Sequence, residues 1–575
     1  MIEKNDSVLA VCEAIGSNGE GIIRHEGITF FVPACLPGEK VRFKVLKIKD
    51  KIGYGRLEEV LTPAEERVRE KCPVFMRCGG CCLQHLDYPF QLIHKATVVR
   101  DALRKIGGIN YPVPTAIKSE KEYGYRNKLQ LPVGVDKEGK TVIGFYAERS
   151  HRIVPIMDCP IHPDWAKTLI TIVKEYIDEC GVKGYDEEKK SGVLRHIVAR
   201  EIDGNYIFTF VLFKGDLPKK ERLISLLQEA FSSFTVYLNR NETETNVIFG
   251  KEFSCIYGKG FFEGKEQGIR YEAGPVTFLQ VNTLVRDKLY KDALKTVALG
   301  GDEVVIDAYS GGGLLTAMIA KSAKRVYGIE IEKEAVECAD RLKEKNGLQN
   351  MVNICGAVED KLPEVLQKEK GEKIRLILDP PRAGIARSVL KALLESGIPR
   401  LTLISCNPAT LARDLGILTG RLIENDKGEL IKNPSFVGDS LDGYYEIEQL
   451  QPYDMFPQTK HVETLVCLSK KTEKHINIDV EFGEGEGQLS LKKLQEELNE
   501  QKPKKKTTYK DIQAYIEEKY GFKVHTAYIA EVKRDLGVPM YDAPNAVEEL
   551  KRPRSHPTTE MVEAIKDALN HFEII

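Results

Sequence analysis

The chain has 575 residues, and typical domain sizes predict roughly three to five domains instead of one compact core. An apolar fraction of 42% and a charged fraction of 30% are those of ordinary globular protein and exclude a disordered or fibrous chain. The net charge of −2 gives no global nucleic-acid signature, so any contact with RNA or DNA must come from local patches.

No segment approaches the roughly 18 to 20 apolar residues that a membrane helix needs. The N-terminal segment also lacks the basic and apolar regions of an export signal. We therefore expect a cytoplasmic protein with no membrane partner. The 13 cysteines do not form a dense disulfide scaffold, and without an export signal we expect reduced thiols, metal ligands or catalytic groups.

Residues 1–62 show short strand patterns separated by glycine turns, which predict a small OB-like β-barrel. Between Lys40 and Val45 apolar and basic side chains alternate, so the basic ones share one face of the strand. Such a face is either a solvated surface or a surface that follows a phosphate backbone.

The rest of the chain divides into four segments. Residues 63–275 carry a cysteine-rich segment and a mixed α+β pattern, and residues 276–470 alternate apolar strands with helices. This βαβ alternation predicts a Rossmann-like α/β domain with a parallel sheet covered on both faces. A polar linker is predicted at 471–508. A small helical module is predicted at 509–575, with helices at Tyr509–Tyr520, Thr526–Leu536 and Thr558–Phe572, and no function is assigned to it.

Two strand ends in the α/β segment indicate a nucleotide site. The strand at 303–307 ends in Asp307 and is followed by a glycine-rich turn, where the backbone can approach a ligand closely. The next strand ends in Glu330, at the spacing of an acid that binds ribose hydroxyls. The spacing suits a dinucleotide or S-adenosylmethionine, and the absence of the G-x-G-x-x-G pattern favours the methyl donor.

Three more polar side chains are predicted near the same edge of the sheet. Asp379 ends the third strand before two prolines, and Cys406 follows the fourth strand beside an Asn-Pro turn. A cysteine after an apolar strand is often only a buried small residue, but its place at the ligand edge favours a catalytic role. Glu463 precedes the final apolar strand after a proline-containing loop, where an active-site base is plausible.

A thiol and a carboxylate beside a methyl donor suit methylation of carbon 5 of uracil. Carbon 5 is a poor nucleophile until a thiolate adds to carbon 6 and turns the ring into an enolate. A general base must then remove the hydrogen at carbon 5 so that the thiol can leave. Cys406 and Glu463 fit these two roles.

Five ordered motifs over about 190 residues resemble the RNA (uracil-5-)-methyltransferase family. They are the segments 278–282, 307–311, 379–382, 405–414 and 454–463. The resemblance implies Cys406 as nucleophile and Glu463 as base. It also implies that S-adenosylmethionine is held by Gln280, Tyr309, Glu330 and Asp379, with Asp379 close to the target base as well. Ser310 stands where the family often has cysteine, a position that is not the nucleophile.

Four cysteines form a candidate metal site: Cys72, Cys78, Cys81 and Cys159. Their spacing is compatible with zinc and better matched to an iron–sulfur cluster with four thiolate ligands. The segment around Cys78 and Cys81 resembles the rRNA branch of the family, which implies a [4Fe–4S] cluster in a structural or RNA-positioning role. Cys82 is an extra neighbour, because adjacent cysteines rarely ligate one metal.

The N-terminal segment resembles the TRAM module of the same branch, which implies that its basic strand contacts RNA. The segments 123–128 and 194–196 resemble family segments that help seat the RNA, which implies a central RNA-binding domain within residues 63–275. We expect 23S rRNA as the substrate, because the cluster cysteines and the barrel favour this branch, and no obligate protein partner. The alternatives are a tRNA uracil-C5 methyltransferase and a non-catalytic RNA-binding assembly factor. The presence of both Cys406 and Glu463 argues against the second.

Overall fold

The computed structural model describes residues 2–277, 279–436, 443–471, 509–535 and 557–571. They belong to two compact units, one within residues 1–475 and the other within residues 476–575. Phe278, nearly all of the predicted linker and the predicted helix ends Leu536 and Phe572 lie outside these residues. None of the helices described is long and apolar enough to cross a membrane.

The first unit begins with a six-stranded sheet in the order β1-β5-β6-β4-β3-β2. Its strands are β1 (Ser7–Val11), β2 (Ala14–Ile15), β3 (Glu20–His25), β4 (Ile28–Pro33), β5 (Lys40–Lys49) and β6 (Ile52–Thr62). All neighbouring pairs are antiparallel except β4 and β6. In β5 Val41, Phe43 and Val45 are buried whereas Lys40 and Arg42 are exposed, so the alternation predicted from the sequence is confirmed.

A seven-stranded mixed sheet follows, in the order β13-β12-β11-β10-β7-β8-β9. Its strands are β7 (Lys128–Val135), β8 (Thr141–Tyr146), β9 (Ile153–Pro155), β10 (Leu194–Ile202), β11 (Asn205–Leu212), β12 (Phe234–Arg240) and β13 (Glu252–Tyr257). The helices of this part are α1 (Tyr88–Lys105), α2 (Asp164–Cys180) and α3 (Lys220–Ala230). Helices α2 and α3 share an apolar core with the sheet. A hairpin of β14 (Phe262–Glu266) and β15 (Ile269–Ala273) leads onward.

The third sheet also has seven strands, in the order β18-β17-β16-β19-β20-β24-β23. Its strands are β16 (Val304–Ala308), β17 (Arg325–Glu330), β18 (Met351–Cys355), β19 (Ile374–Leu378), β20 (Arg400–Ser405), β23 (Tyr445–Tyr453) and β24 (Glu463–Lys470). A small hairpin pairs β21 (Leu422–Glu424) with β22 (Leu430–Lys432). The helices are α4 (Thr283–Val297), α5 (Leu314–Ala320), α6 (Lys333–Asn346), α7 (Val358–Lys368), α8 (Arg387–Ser396) and α9 (Pro408–Leu418).

The first five strands of this third sheet are parallel, as the βαβ pattern predicts, whereas β24 and β23 are antiparallel to their neighbours. Two separate apolar cores cover its two faces, which explains why its strands are almost continuously apolar. The strand order reverses between β16 and β19. In doubly wound α/β sheets the ligand crevice lies outside the carboxyl ends of the strands at such a switch point.

The second unit contains α10 (Tyr509–Tyr520), α11 (Thr526–Asp535) and α12 (Thr559–His571). Apolar side chains from all three helices share one small core, among them Ile512, Ile529 and Ile565. The predicted helical module therefore has a hydrophobic core of its own.

Candidate active site

A cavity of about 1080 Å³ lies at the carboxyl ends of β16, β17, β19 and β20. Every side chain singled out from the sequence as catalytic, cofactor-binding or metal-binding lines it: Cys406, Glu463, Gln280, Tyr309, Glu330, Asp379, Cys72, Cys78, Cys81 and Cys159. The fold thus brings the cysteine-rich segment to the same space as the strand ends of the third sheet.

The Cys406 thiol lies between the end of β20 and the start of α9. The side chain of Asn407 caps α9 by accepting a hydrogen bond from the Ala409 amide at 3.1 Å, and Pro408 occupies the first turn. The Asn407 side chain also donates to the carbonyl of Arg382 at 3.0 Å. The Asn407 side chain therefore connects the turn that carries Cys406 to the loop that follows β19.

Glu463 is brought beside the thiol by strand register. In the antiparallel pair β20–β24, Ser405 lies opposite Thr464, so the residue after Ser405 and the residue before Thr464 are neighbours. The Glu463 side chain is buried, with 4% of its surface exposed. A cysteine and a glutamate from distant parts of the chain therefore meet at one end of this strand pair.

Burial shifts the pKa values of the acids in this cavity toward neutrality. The pKa of Glu463 is raised to about 8, chiefly by burial and then by the charge of Asp379, while Arg382 acts in the opposite direction. Burial alone raises the pKa of Asp379 to about 7. Acids that can gain or lose a proton near pH 7 are suited to general acid–base catalysis.

The pKa of the Cys406 thiol is also raised, first by burial and then by the charges of Glu463 and Asp379, with Arg382 opposing. A neutral thiol therefore predominates in the free protein, and formation of the thiolate requires a base or a nearby positive charge. Glu463 supplies the base, and Arg382 supplies the positive charge.

The turn after β16 leaves room for a ligand against the backbone. Tyr309 adopts a left-handed conformation with φ 66°, which is uncommon for a bulky residue and typical of constrained sites. A Cβ atom placed on Gly311 or Gly312 would meet no atom within 4 Å. The backbone there is open to the cavity.

The acid at the end of β17 is held by this turn. One carboxylate oxygen of Glu330 accepts a hydrogen bond from the Gly311 amide, and the other accepts one from the Glu332 amide, both at 2.9 Å. A carboxylate offers about four lone-pair directions, so Glu330 keeps acceptor capacity for the hydroxyl groups of a ribose. Gln280 enters the same cavity from the segment before α4, whose first turn is capped by Asn282.

Asp307 was noted in the sequence only as a strand-ending acid, and the structure adds it to the site. It lines a smaller cavity of about 90 Å³ together with Gln280, Tyr309 and Asp379. Burial raises its pKa to about 7, and the Thr316 hydroxyl donates a hydrogen bond to it at 2.6 Å. Carboxylates beside an open glycine turn fit a nucleoside that carries a positive sulfonium, because opposite charges attract strongly in a poorly solvated site.

The four predicted cluster cysteines influence one another. Burial and the charges of Cys81, Cys72 and Cys78 raise the pKa of Cys159, with a backbone hydrogen bond opposing. Burial and two of these thiols likewise raise the pKa of Cys81 to about 12, although a hydrogen bond with Gln84 opposes them. Thiols that face one cavity and raise each other's pKa values are ready to bind a cation that stabilises the thiolates.

Cys82 has different surroundings from these four thiols, although its charge contributes to the raised pKa of Cys81. Its sulfur lies beside Gly19 of the first sheet, and the charges of Lys95 and Lys460 act on it. It is absent from the lining of the large cavity. The structure therefore separates Cys82 from the other cysteines of the segment.

Among the described residues, no group of three or more His, Cys, Asp or Glu side chains is arranged to hold a metal ion. A mononuclear zinc site would place all four sulfurs about 2.3 Å from one ion. An iron–sulfur cubane carries each thiolate on a different iron, so its four ligands stand further apart. All four predicted cluster cysteines line the cavity, so the donor type that either kind of site needs is present there.

Arg382 and His461 also line the cavity, and sequence reasoning assigned no role to either of them. Burial, followed by the charges of Arg382 and Lys460, lowers the pKa of His461 to about 4, so this imidazole is neutral at pH 7. The signal for Arg382 was its place directly after the acid and prolines that end β19. Nothing in the sequence around His461 marks it out.

The family described as tRNA (uracil-5-)-methyltransferase matches residues 221–422 of the chain. Two curated relatives, from Clostridium tetani and Halalkalibacterium halodurans, are both described as uncharacterized RNA methyltransferases. They are 37% identical to this chain over 477 and 474 residues, and each alignment covers 82% of this chain and 98% of the relative.

Among solved structures, the chain is similar to the tRNA (uracil-54, C5)-methyltransferase of Pyrococcus abyssi in complex with S-adenosyl-L-homocysteine. The TM-score is 0.62 at 26% sequence identity, and the match covers 80% of this chain and 99% of the other.

Proposed function

Because the chain belongs to the RNA (uracil-5-)-methyltransferase family, we propose that it methylates carbon 5 of a uridine in 23S rRNA, with Cys406 as nucleophile and Glu463 as base. Its third sheet is the Rossmann-like sheet of a class I S-adenosylmethionine-dependent methyltransferase. One observation carries the proposed roles. The β20–β24 register sets a buried carboxylate beside a strand-end thiol, in the cavity that the nucleotide-binding turn also lines.

In the proposed reaction the Cys406 thiol gives its proton to Glu463, which releases it to solvent and is a carboxylate again. The Cys406 thiolate then adds to carbon 6 of the uracil and forms a carbon–sulfur bond. The electron pair of the ring double bond moves toward the carbonyl oxygen, which makes carbon 5 nucleophilic. S-Adenosylmethionine, when bound, supplies an electrophilic methyl group, which carbon 5 takes up as the sulfur–methyl bond breaks and S-adenosylhomocysteine leaves. Glu463 then removes the proton from carbon 5, the double bond re-forms, and the thiolate leaves.

Asp379 and Arg382 would set the protonation states of this pair. The carboxyl group of Asp379 raises the pKa values of both Glu463 and Cys406, whereas Arg382 lowers both. A raised pKa makes Glu463 a stronger base than an exposed glutamate. It follows that Arg382 favours the thiolate form of Cys406. Asp379 favours proton uptake by the Glu463 carboxylate.

The methyl donor would be held by Gln280, Tyr309, Glu330 and Asp379. The two hydrogen bonds that orient the Glu330 carboxylate support its role toward the ribose hydroxyls. Asp379 lines both cavities, and this supports a place between the donor and the target base.

The four cavity thiols, Cys72, Cys78, Cys81 and Cys159, would hold a [4Fe–4S] cluster. Their position in the active-site cavity and their mutual effect on pKa support this assignment. No step of the methyl transfer needs an electron, so the cluster would order the segment that approaches the RNA. Residues 1–62 would form the RNA-binding barrel, followed by a central domain to residue 275 and the methyltransferase domain to residue 470.

The choice of 23S rRNA rests on the cluster thiols and on the basic face of the N-terminal sheet. The similar Pyrococcus abyssi enzyme is titled as acting on uracil 54 of tRNA, and this similarity favours tRNA as the second candidate. Either substrate would place the protein in the cytoplasm. A role as an assembly factor without catalysis is disfavoured, because Cys406 and Glu463 are both present and adjacent.

The test is transfer of a labelled methyl group from S-adenosylmethionine, with protein purified without oxygen. Unmodified 23S rRNA and unmodified bulk tRNA are offered in parallel to the wild type, to Cys406→Ala and to Cys255→Ala, whose thiol is exposed and lies outside the cavity. We expect label in rRNA from the wild type and Cys255→Ala and none from Cys406→Ala. Label in tRNA alone would overturn the substrate, and equal label from Cys406→Ala would overturn the mechanism.

A further inference from the structure

The loop between β23 and β24, residues 454–462, ends directly before Glu463, and we call it the base loop. Phe456 and His461 of this loop line the large cavity, as Glu463 does. Gln458 does not line it, although only 1% of this residue is exposed. Its φ of 70° is uncommon for a residue other than glycine and persists only where surrounding contacts enforce it. The conformation of the base loop therefore depends on what Gln458 contacts outside the cavity.

Gln458 is held by residues that are far away in the chain. Its carbonyl accepts hydrogen bonds from the amides of Cys82 and Leu83, both at 3.1 Å. Its side-chain oxygen accepts a hydrogen bond from the side chain of Gln91 at 2.9 Å, and the side-chain oxygen of Gln91 accepts one from the Gln458 amide at 3.1 Å. These two pairs of hydrogen bonds fix the middle of the base loop.

Gln91 also binds the cysteine-rich segment. It lies on α1 with 1% of the residue exposed, and its side-chain nitrogen donates to the carbonyls of Leu83 at 3.0 Å and Leu86 at 2.8 Å. One buried amide thus joins α1, the end of the cysteine-rich segment and the base loop. A buried polar network whose members are all paired specifies one arrangement, and removal of one member leaves the others unpaired.

Helix α1 holds the start of the base loop as well. Lys95 lies one helical turn after Gln91, on the same face of the helix. Its ammonium forms an ion pair with Asp454 in which neither side chain has exposed surface, and it donates to the carbonyl of Phe456 at 3.0 Å. Apolar packing would avoid the cost of taking these charges out of water. Stability alone therefore does not favour this polar contact between α1 and the base loop.

We propose that Gln91 and Gln458 are positioning residues for the proposed base. Through them α1 and the cysteine-rich segment hold the base loop, so that the Glu463 carboxylate reaches the hydrogen on carbon 5 of the bound uracil. This inference rests on the proposed function and adds the contacts on which its last proton transfer depends. Neither glutamine lines the cavity, so both act through the base loop and not by contact with a substrate.

Proton removal from carbon 5 is the step most sensitive to the position of Glu463. In this step the carboxylate takes the proton, the electron pair of the carbon–hydrogen bond re-forms the ring double bond, and the Cys406 thiolate leaves carbon 6. A thiol proton exchanges with water, whereas a proton on carbon needs a base within hydrogen-bond reach. A displaced Glu463 therefore leaves the methylated RNA bonded to Cys406.

Gln91→Leu removes the joining amide and keeps a side chain of similar volume. We expect kcat to fall on the order of tenfold to a hundredfold, because a small displacement of a catalytic group has an effect of this size. KM for RNA should stay within about twofold, since the substrate contacts are unchanged. With ordinary uridine RNA, a methylated covalent complex that survives denaturation should accumulate, as it should with Glu463→Gln.

Gln458→Gly tests the same contact from the other side. Glycine adopts a φ of 70° without strain, so the backbone and its hydrogen bonds can remain while the side-chain amide is lost. We expect the covalent complex to accumulate to a smaller extent than in Gln91→Leu. The matched control is Gln451→Leu, which loses a side-chain hydrogen bond to the carbonyl of Thr115 at 3.0 Å, outside both the base loop and the cavity.

The experiment uses the full chain, labelled S-adenosylmethionine and the RNA that the wild type methylates. Initial rates give kcat and KM, a denaturing gel measures labelled RNA bonded to protein, and thermal melting identifies the variants that fold. The proposal predicts a labelled complex with Gln91→Leu and Gln458→Gly and none above the wild-type level with Gln451→Leu. If Gln91→Leu does not fold, Gln458→Gly decides the result.

Folded glutamine variants that turn over like the wild type would overturn the proposal. Slower turnover without the covalent complex would also overturn it, because the loss would then lie in a step other than proton removal. A wild type that transfers no methyl group, or a Glu463→Gln variant that accumulates no complex, would instead contradict the proposed function.

Discussion

Glu463 and Asp379 are buried acids that line the cavity of the candidate active site. In the folded protein their pKa values are about 8 and about 7, because burial favours the protonated form. In the unfolded chain both groups titrate near pH 4. The folded state therefore holds protons that the unfolded state has already released, and the free energy of unfolding falls as the pH rises from about 4 to about 8.

Glu463→Gln should remove the contribution of residue 463 to the pH dependence of the free energy of unfolding, because an amide cannot ionise. We expect the variant to be more stable than the wild type at pH 8, by on the order of 2–5 kcal/mol from a shift of several pKa units at about 1.4 kcal/mol each. The difference should shrink toward pH 5. Urea unfolding at a series of pH values measures it.

The matched control is Glu120→Gln, at an exposed position outside the cavity. This variant should follow the wild type at every pH. If Glu463→Gln were less stable than the wild type at pH 8, the fold would stabilise the carboxylate, and the raised pKa of Glu463 would be contradicted.

Residues at strand ends could be predicted from the sequence, because each follows an apolar run directly. Cys406, Asp379 and Glu330 are of this kind, and the structure places all three in one cavity. The pairing of Lys128 with Arg200 on neighbouring strands could not be predicted, because it depends on the register between two strands far apart in the chain. Sequence periodicity identifies strands and does not determine how they pair.

At the scale of elements, the last two of the three glycines in the turn between β16 and α5, Gly312 and Gly313, have different surroundings. A Cβ on Gly312 would meet nothing within 4 Å, whereas one on Gly313 would lie 2.7 Å from the Cβ of Ala339, at a φ of 78°. The first glycine leaves space for a ligand, and the second allows close packing against α6.

Gly312→Ala and Gly313→Ala should therefore behave differently. We expect Gly312→Ala to fold normally and to bind S-adenosylmethionine several-fold more weakly, because its methyl group enters the open side of the turn. Gly313→Ala should lower the free energy of unfolding by about 1–3 kcal/mol through overpacking and backbone strain. Calorimetric titration and thermal melting separate the two effects, and unimpaired donor binding in Gly312→Ala would contradict the position of the site.

The cysteine segment offers a second matched pair. Cys81 lines the cavity together with the three other predicted cluster cysteines, whereas the sulfur of Cys82 lies beside Gly19. In protein purified without oxygen we expect Cys81→Ser to lose most of its iron and Cys82→Ser to retain it, because only the first removes a ligand. Equal iron content in the two variants would contradict the assigned ligand set.

At the scale of the whole molecule, the chain has a large unit that contains the candidate site and a small helical unit with its own core. The relatives from Clostridium tetani and Halalkalibacterium halodurans match over 98% of their lengths while covering 82% of this chain. All the residues proposed for catalysis and binding lie in the large unit.

We therefore expect a protein that ends after residue 475 to remain folded and to retain methyl transfer within about twofold. The reason is that none of the residues described within 509–535 and 557–571 lines the cavity of the candidate site. Initial rates with labelled S-adenosylmethionine measure this for the shortened and the full-length protein. A loss of activity in a shortened protein that still melts cooperatively would show that the small unit takes part in substrate binding.

Within the large unit, the sequence predicted the elements that a local pattern of apolar residues determines. Four of the parallel strands, β16, β17, β19 and β20, were recognisable because both faces are covered and the strands are almost continuously apolar. Strand β18 was not predicted, and four of its five residues are not fully buried. The antiparallel direction of β23 and β24 was not predicted, since a terminal strand can join a sheet in either direction. Yet this direction brings Glu463 to Cys406, so the central feature of the site depends on it.

The most direct test of the account is covalent capture of RNA that carries 5-fluorouridine at the methylated position. Fluorine at carbon 5 cannot be removed as a proton, so the bond between Cys406 and carbon 6 should persist after methyl transfer. We predict a complex that survives denaturation with the wild type and Cys255→Ala, is absent with Cys406→Ala, and yields a nucleotide-bearing peptide that contains Cys406. A wild-type protein that methylates ordinary RNA without forming this complex, or forms it through another cysteine, would contradict the account.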